Sequence, residues 1–228
     1  MGQNISVIIP AYNEQGRIKK TLDSLKGIGA IDEIIVVDDG STDMTYEELK
    51  DRRDITLIHT DRNKGKGNAV KNALMHVKSR YVALLDADLC ESSAEVDKLI
   101  GYVKPDIQSI IIGRFSSPSQ KGGFGIVKGI SDLGFYMLTG KHVASLLSGQ
   151  RVLPTDFLKS FRLPEGFGLE FKITLEAVRQ GYELLEVPVK MIHRETGRDF
   201  QGFIHRGRQC MDIVGLIIIE TFTKRLRS

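Results

Sequence analysis

The sequence predicts an α/β protein: a mostly parallel, mixed sheet flanked by helices, with an amphipathic helix at the C-terminal end. Three observations carry this. Short apolar runs at 5–9, 31–37, 55–59 and 80–86 alternate with helical patterns at 14–26, 44–51 and 65–78, the order of a doubly wound parallel sheet. Two of the runs stop abruptly in carboxylates, Asp38-Asp39 after Ile34-Ile35-Val36-Val37 and Asp86-Ala87-Asp88 after Val82-Ala83-Leu84-Leu85. Ligands of such sheets bind at the carboxyl ends of the strands, so the acids stand where a ligand would.

The elements follow in order. In the helix after Asn13-Glu14, Ile18, Leu22 and Leu25 recur at helical spacing and face the sheet, and Asn13 serves as a cap. Helix 94–103 and strand 107–112 come next, and the polar, Gly-rich stretch from Arg114 to Gly125 reads as a loop. Dense apolar residues from Ile126 to Leu147 predict a long helix, which Gly149 to Pro154 breaks. Gly166 to Gln180 is a helix ended by Gly181, and Tyr182 to Val189 is a late strand that makes the sheet mixed. From Phe203 onward, Met211, Val214, Ile218 and Phe222 form an apolar stripe followed by Lys224, Arg225 and Arg227. That stripe packs on the domain, on a second copy in a homo-oligomer, or on a membrane surface. The expected organisation is a domain over 1–200, with a nucleotide-sugar half at 1–112 and an acceptor half at 113–200, followed by a helical segment over 201–228.

Composition narrows the function. At 228 residues with 41% hydrophobic residues, the chain buries a full core. A net charge of +3 and a pI near 8.8 are spread along the sequence, which suits anionic small molecules or a membrane surface and argues against nucleic acid. Two cysteines form neither a disulfide framework nor a zinc site, and no run approaches a membrane span. A cytoplasmic protein is expected, soluble or held peripherally at the membrane face.

Asp86 and Asp88, two apart on an extended backbone, point the same way and suit a hard divalent cation that also takes phosphate oxygens. Lys64-Gly65-Lys66-Gly67 lacks both the dinucleotide fingerprint and the P-loop ending, leaving a basic turn at a helix N-terminus. A metal-held nucleotide diphosphate is the first inference.

Val7-Ile8-Ile9-Pro10-Ala11-Tyr12-Asn13-Glu14, Val36-Val37-Asp38-Asp39-Gly40-Ser41-Thr42-Asp43, Asn63-Lys64-Gly65-Lys66-Gly67-Asn68-Ala69 and Leu85-Asp86-Ala87-Asp88, in this order and spacing, closely resemble glycosyltransferase family 2 with the GT-A fold. Ser148-Gly149-Gln150-Arg151, the Glu170 helix and Glu186-Val187-Pro188-Val189 make the chain most similar to the dolichyl- or polyprenyl-phosphate hexose synthases. The resemblance implies that Pro10, Tyr12, Glu14 and Asp39 surround the nucleoside of a GDP- or UDP-hexose and that Lys66 sits near the donor. It implies Asp86 near the ribose and Asp88 on Mg²⁺ or Mn²⁺, with His193 as a further ligand. Two positions depart from the pattern: Cys90 stands where such enzymes often have Gln, and Gln150 where they usually have an aromatic.

Arg151, Arg194 and Arg198 suit phosphate, Arg151 foremost, because a guanidinium forks onto two oxygens. A phosphate acceptor needs no base, whereas a hydroxyl acceptor must lose a proton, for which Glu170 is the candidate. The expected reaction is transfer of a hexose to a polyprenyl-phosphate-type acceptor with inversion. The alternatives are a hydroxyl acceptor on a glycolipid, glycan or phosphoglycerate-like molecule, and, further off, a sugar-phosphate nucleotidylyltransferase.

Overall fold

The computed structural model describes residues 4–115, 124–166, 168–191 and 211–222. Seven strands form one sheet: β1 (Ile5–Ala11), β2 (Ile31–Asp38), β3 (Thr56–His59), β4 (Tyr81–Leu84), β5 (Ser109–Phe115), β6 (Arg151–Pro154) and β7 (Glu183–Val189), in the order β3-β2-β1-β4-β6-β5-β7. Every pairing is parallel except those of β6, which runs antiparallel to β4 and β5. The sheet is therefore mixed as expected, but through β6, where the sequence suggested only a helix break. The late strand β7 is parallel to β5.

Helices α1 (Ile18–Leu25), α2 (Thr45–Leu49), α3 (Lys66–Leu74), α4 (Val96–Ile100), α5 (Phe124–Thr139), α6 (Thr155–Lys159) and α7 (Leu169–Arg179) connect the strands, and α8 spans 211–222. Alternation along β1 decides which helix goes to which face. Ile5, Val7, Ile9 and Ala11 bury against Ile18, Leu22 and Leu25 of α1, while Ile8 points to the other layer with Ala69, Val70 and Ala73 of α3 and Phe171 and Leu175 of α7. Almost all of these side chains are fully buried, so both faces of the sheet are covered.

Three local expectations are corrected. Asn13 does not cap α1: it takes a positive φ of 56°, and its Oδ1 accepts from the Thr42 backbone N–H at 2.8 Å, clipping two loops together. The predicted helix 126–147 stops at Thr139, because Gly140 enters the left-handed region at φ 70° and a turn follows. Asp86 and Asp88 lie beyond the end of β4, in a turn rather than on an extended strand.

Candidate active site

The parallel register brings the strand ends together. Ala11 pairs with Asp38, Asp38 with His59, and Ile8 with Leu84, so the segments after β1, β2 and β4 share one edge. Strand order reverses between β1 and β4, the switch point at which open α/β sheets bind ligands.

Lys66 organises the cleft. It is the first residue of α3, and its Nζ donates to Asp86 Oδ1 at 2.6 Å and to Glu170 Oε1 at 2.7 Å. Burial works against its charge, but the two carboxylates outweigh burial and hold its pKa above the ordinary lysine value. The other Asp86 oxygen, Oδ2, accepts from Gln150 Nε2 at 2.5 Å, and Gln150 Oε1 accepts the Asp86 backbone N–H at 3.1 Å. Gln150 is fully buried, so both ends of its amide are committed to one residue. Gly149 leaves room for this: a Cβ there would stand 2.6 Å from Lys66 Nζ and 2.8 Å from Asp86 Oδ2.

The turn from Asp86 to Asp88 is held from beneath by α1. Thr21, fully buried, donates through Oγ1 to the Ala87 carbonyl at 2.8 Å and accepts the Cys90 N–H at 2.8 Å. Cys90 takes a positive φ of 50° there. Asp88 is half-buried and close enough to Arg17 to help raise its pKa, whose main cause is the hydrogen bond to Glu14. Arg17 Nε donates to Glu14 Oε2 at 2.6 Å.

Asp38 and Asp39 divide their work. Asp38 is buried and accepts from the Ser41 N–H at 3.2 Å, with His59 Nδ1 2.7 Å from its other oxygen. Asp39 holds the following loop, accepting from Thr60 Oγ1, the Lys64 N–H and the Gly65 N–H at 2.7 to 3.2 Å. Three donors thus converge on a carboxylate that has about four acceptor positions. Gly40 makes the approach possible, because a Cβ would meet the Arg62 backbone at 2.5 Å. Arg62, Asn63, Lys64, Asn68 and Glu165 line a pocket of about 540 Å³ along this loop and α3. Pro10 is half-buried at the end of β1, and the Tyr12 ring is 43% exposed, open to stack on a planar ligand.

Arg151 is corrected outright. Its side chain is completely buried, donating to the Ser148 and Leu146 carbonyls and to Thr174 Oγ1 at 2.7 to 2.8 Å, so it props the turn under Gly149 and reaches no phosphate. Burial lowers its pKa to about 10 against the pull of Glu170 and Glu186. His193, with Arg194 and Arg198, lies outside the described residues. Gln150, Gly149, Thr21 and Arg17 were missed as site residues. Gln150 and Gly149 lie inside the Ser148-Gly149-Gln150-Arg151 motif, but nothing local marks Thr21 among the buried positions of α1.

Two carboxylates, with further oxygens from phosphate and water, suit Mg²⁺ or Mn²⁺. Among the described residues no three His, Cys, Asp or Glu side chains converge. Asp86 has one oxygen on Lys66 and the other on Gln150.

A family model described as glycosyl transferase family 2 matches residues 6–148, more than half of the chain and all of these strand ends. The chain belongs to that family. Among its relatives, the glycosyltransferase AglJ of Haloferax volcanii is 26% identical over 200 residues, covering 86% of this chain. The undecaprenyl-phosphate 4-deoxy-4-formamido-L-arabinose transferase of Edwardsiella ictaluri is 34% identical over 226 residues, 93% of this chain. The chain spans only 65% and 67% of the length of these two relatives. The glucosyl-3-phosphoglycerate synthase of Mycobacterium tuberculosis, solved with Mn²⁺, UDP and phosphoglyceric acid, superimposes with a TM-score of 0.80 over 96% of this chain and 78% of its own, at 21% identity. That likeness establishes the GT-A fold.

Proposed function

We propose that this family 2 member transfers a hexose from a UDP- or GDP-linked donor to a polyprenyl-phosphate-type acceptor, in a metal-dependent reaction with inversion. The observation that carries the reading is the Lys66 bridge between Asp86 and Glu170. It puts one cation and the two carboxylates at the switch point, against the turn that also holds Asp88. The undecaprenyl-phosphate relative supports the acceptor class. Family membership sets aside the nucleotidylyltransferase alternative.

In this reading Tyr12 stacks on the base and Pro10 and Glu14 shape its surroundings. Asp39 acts through the Thr60–Gly65 loop. Gln150 and Lys66 fix Asp86 toward the ribose, and Asp88 holds the metal. The chemistry that Mg²⁺ or Mn²⁺ would supply when held by Asp88 is neutralisation of charge on the departing diphosphate. An acceptor phosphate oxygen attacks the anomeric carbon from the side opposite the leaving group. One C–O bond forms, the bond to the diphosphate breaks, and the nucleoside diphosphate leaves. A phosphate monoester is anionic at neutral pH, so no proton has to move and Glu170 acts by holding Lys66.

A hydroxyl acceptor is the second reading, favoured by the position of Glu170 at the N-terminus of α7, facing the same cleft. Glu170→Gln separates the two. With a phosphate acceptor the variant keeps the wild-type shape of its pH–rate profile and loses about tenfold or less in kcat. With a hydroxyl acceptor it loses its base, and kcat falls by about 10²-fold or more with the acidic limb abolished.

A further inference from the structure

Helix α8 is apolar on both of its long sides. Its inner side packs on the domain: Ile213 is buried, Leu216 and Ile217 join the core, Ile217 lies against Gly134 of α5, and Leu216 against Gly168. Its outer side presents Met211, Ile218, Ile219 and Phe222, each at least half exposed. Neighbouring α5 adds Leu133, Tyr136 and Met137, which are 60%, 47% and 62% exposed. Scattered exposed apolar residues are ordinary, but these share two helices in contact at Gly134, and together they make a patch of the kind that marks an interaction surface.

We propose that the joint outer face of α5 and α8 docks in the interfacial plane of an anionic lipid bilayer. The charges around it choose this occupant. The acids of α8 are kept off the face: Glu220 is buried, accepting from Lys172 and Arg179 at 2.5 Å each, and Asp212 lies against Gly166. Past the helix the sequence continues with Lys224, Arg225 and Arg227. A broad apolar face on a helix that the sequence follows with a cationic run matches acyl chains under anionic headgroups, where both terms contribute at once. The face also sits at the right place. The start of α8 rests on Gly166 and on Gly168, the latter two residues before Glu170, which ties the helix to the segment that carries the cleft carboxylate. This deepens the lipid-phosphate reading, since such an acceptor is met only at a membrane.

The test is co-sedimentation of the full chain with vesicles of phosphatidylcholine alone and of phosphatidylcholine mixed with phosphatidylglycerol. Wild type is expected to partition at least roughly tenfold better onto the mixed vesicles, less so in high salt. Leu133→Glu with Met137→Glu, and separately Ile218→Glu with Phe222→Glu, are each expected to reduce that partition at least roughly tenfold while the melting temperature stays put. Serine at the same positions serves if a glutamate pair fails to fold. Wild type remaining in the supernatant, or the α5 pair binding like wild type, overturns the proposal. So does a solution dimer that either pair converts to monomer without any vesicle binding. Transfer to a detergent-dispersed polyprenyl phosphate reports on the acceptor separately: if it persists while docking fails, the surface is wrong and the activity stands.

Discussion

Lys66 and Glu170 lie 104 positions apart in sequence and meet at 2.7 Å, so the charge balance of the cleft is a tertiary property. Because the folded-state pKa of Lys66 is raised, its stabilising ion pairs are fully present below the ordinary lysine value of 10.5 and are lost as pH rises through the higher folded value. The melting-temperature gap between wild type and Lys66→Met should therefore be constant through the neutral range and shrink only above about pH 10.5. A gap that closes near neutrality would mean that Lys66 is not held charged by its carboxylates. Gly149→Ala probes the same cluster sterically. The new Cβ would stand within 3 Å of Lys66 Nζ and the Asp86 carboxylate, so both must shift and their ion pair is disturbed: stability should fall by about 1–2 kcal/mol and donor affinity about tenfold. Thermal melts and calorimetric titration with nucleotide diphosphate sugar read the two effects. Asp88→Asn keeps shape and loses charge, and it should remove most turnover at an unchanged melting temperature.

The elements were legible where pattern and burial agree. The alternating or continuous apolar runs of β1, β2, β4 and β5 and the Ile18, Leu22, Leu25 spacing of α1 state their own faces. Strand β6 was not legible, because Arg151-Val152-Leu153-Pro154 is four residues long, begins with a charge and ends in proline. It is a strand only because β4 and β5 offer it both edges and Ser148, Leu146 and Thr174 satisfy the buried guanidinium. The same distance in sequence hid Arg151's structural role. At the C-terminal end, the stripe Met211, Val214, Ile218 and Phe222 was seen, but three of its four members are exposed, and the docked side is Ile213, Leu216, Ile217 and Glu220. Glu220 anchors that side. Burial opposes its ionisation, yet Lys172 and Arg179 outweigh it and lower its pKa, so its contribution is present above the ordinary glutamate value of 4.5 and is lost as pH falls below it. Glu220→Gln should cost about 1–2 kcal/mol at neutral pH, discounted for the partial exposure of both cations, and little in acid. Hydrogen-exchange protection of 211–222, corrected for the intrinsic rate at each pH, should fall in acid for wild type, and in the variant it should be low at both pH values.

At the scale of the whole molecule, the proposed reading divides binding between the two sides of the switch point. The segments after β1 and β2 carry Tyr12 and Asp39, and the turn after β4 carries the aspartate pair, fixed from beneath by Thr21 and from the side by Gln150. Tyr12→Ala loses a stacking surface, and Asp39→Ala releases the loop that Lys64 and Gly65 anchor to it. Both should weaken nucleotide binding by about 1–2 kcal/mol and leave acceptor affinity unchanged, which calorimetric titration resolves. The central claim is divalent-metal-dependent transfer to a lipid phosphate. Its most direct measurement is incubation of the purified chain with UDP- and GDP-hexoses and a detergent-dispersed polyprenyl phosphate, with mass spectrometry of the lipid fraction. The account predicts a hexosyl-phosphoryl lipid that forms with Mg²⁺ or Mn²⁺ and disappears in excess chelator and in Asp88→Asn. A lipid product that persists in chelator, or its absence with every donor while a hydroxyl acceptor is glycosylated, would contradict it.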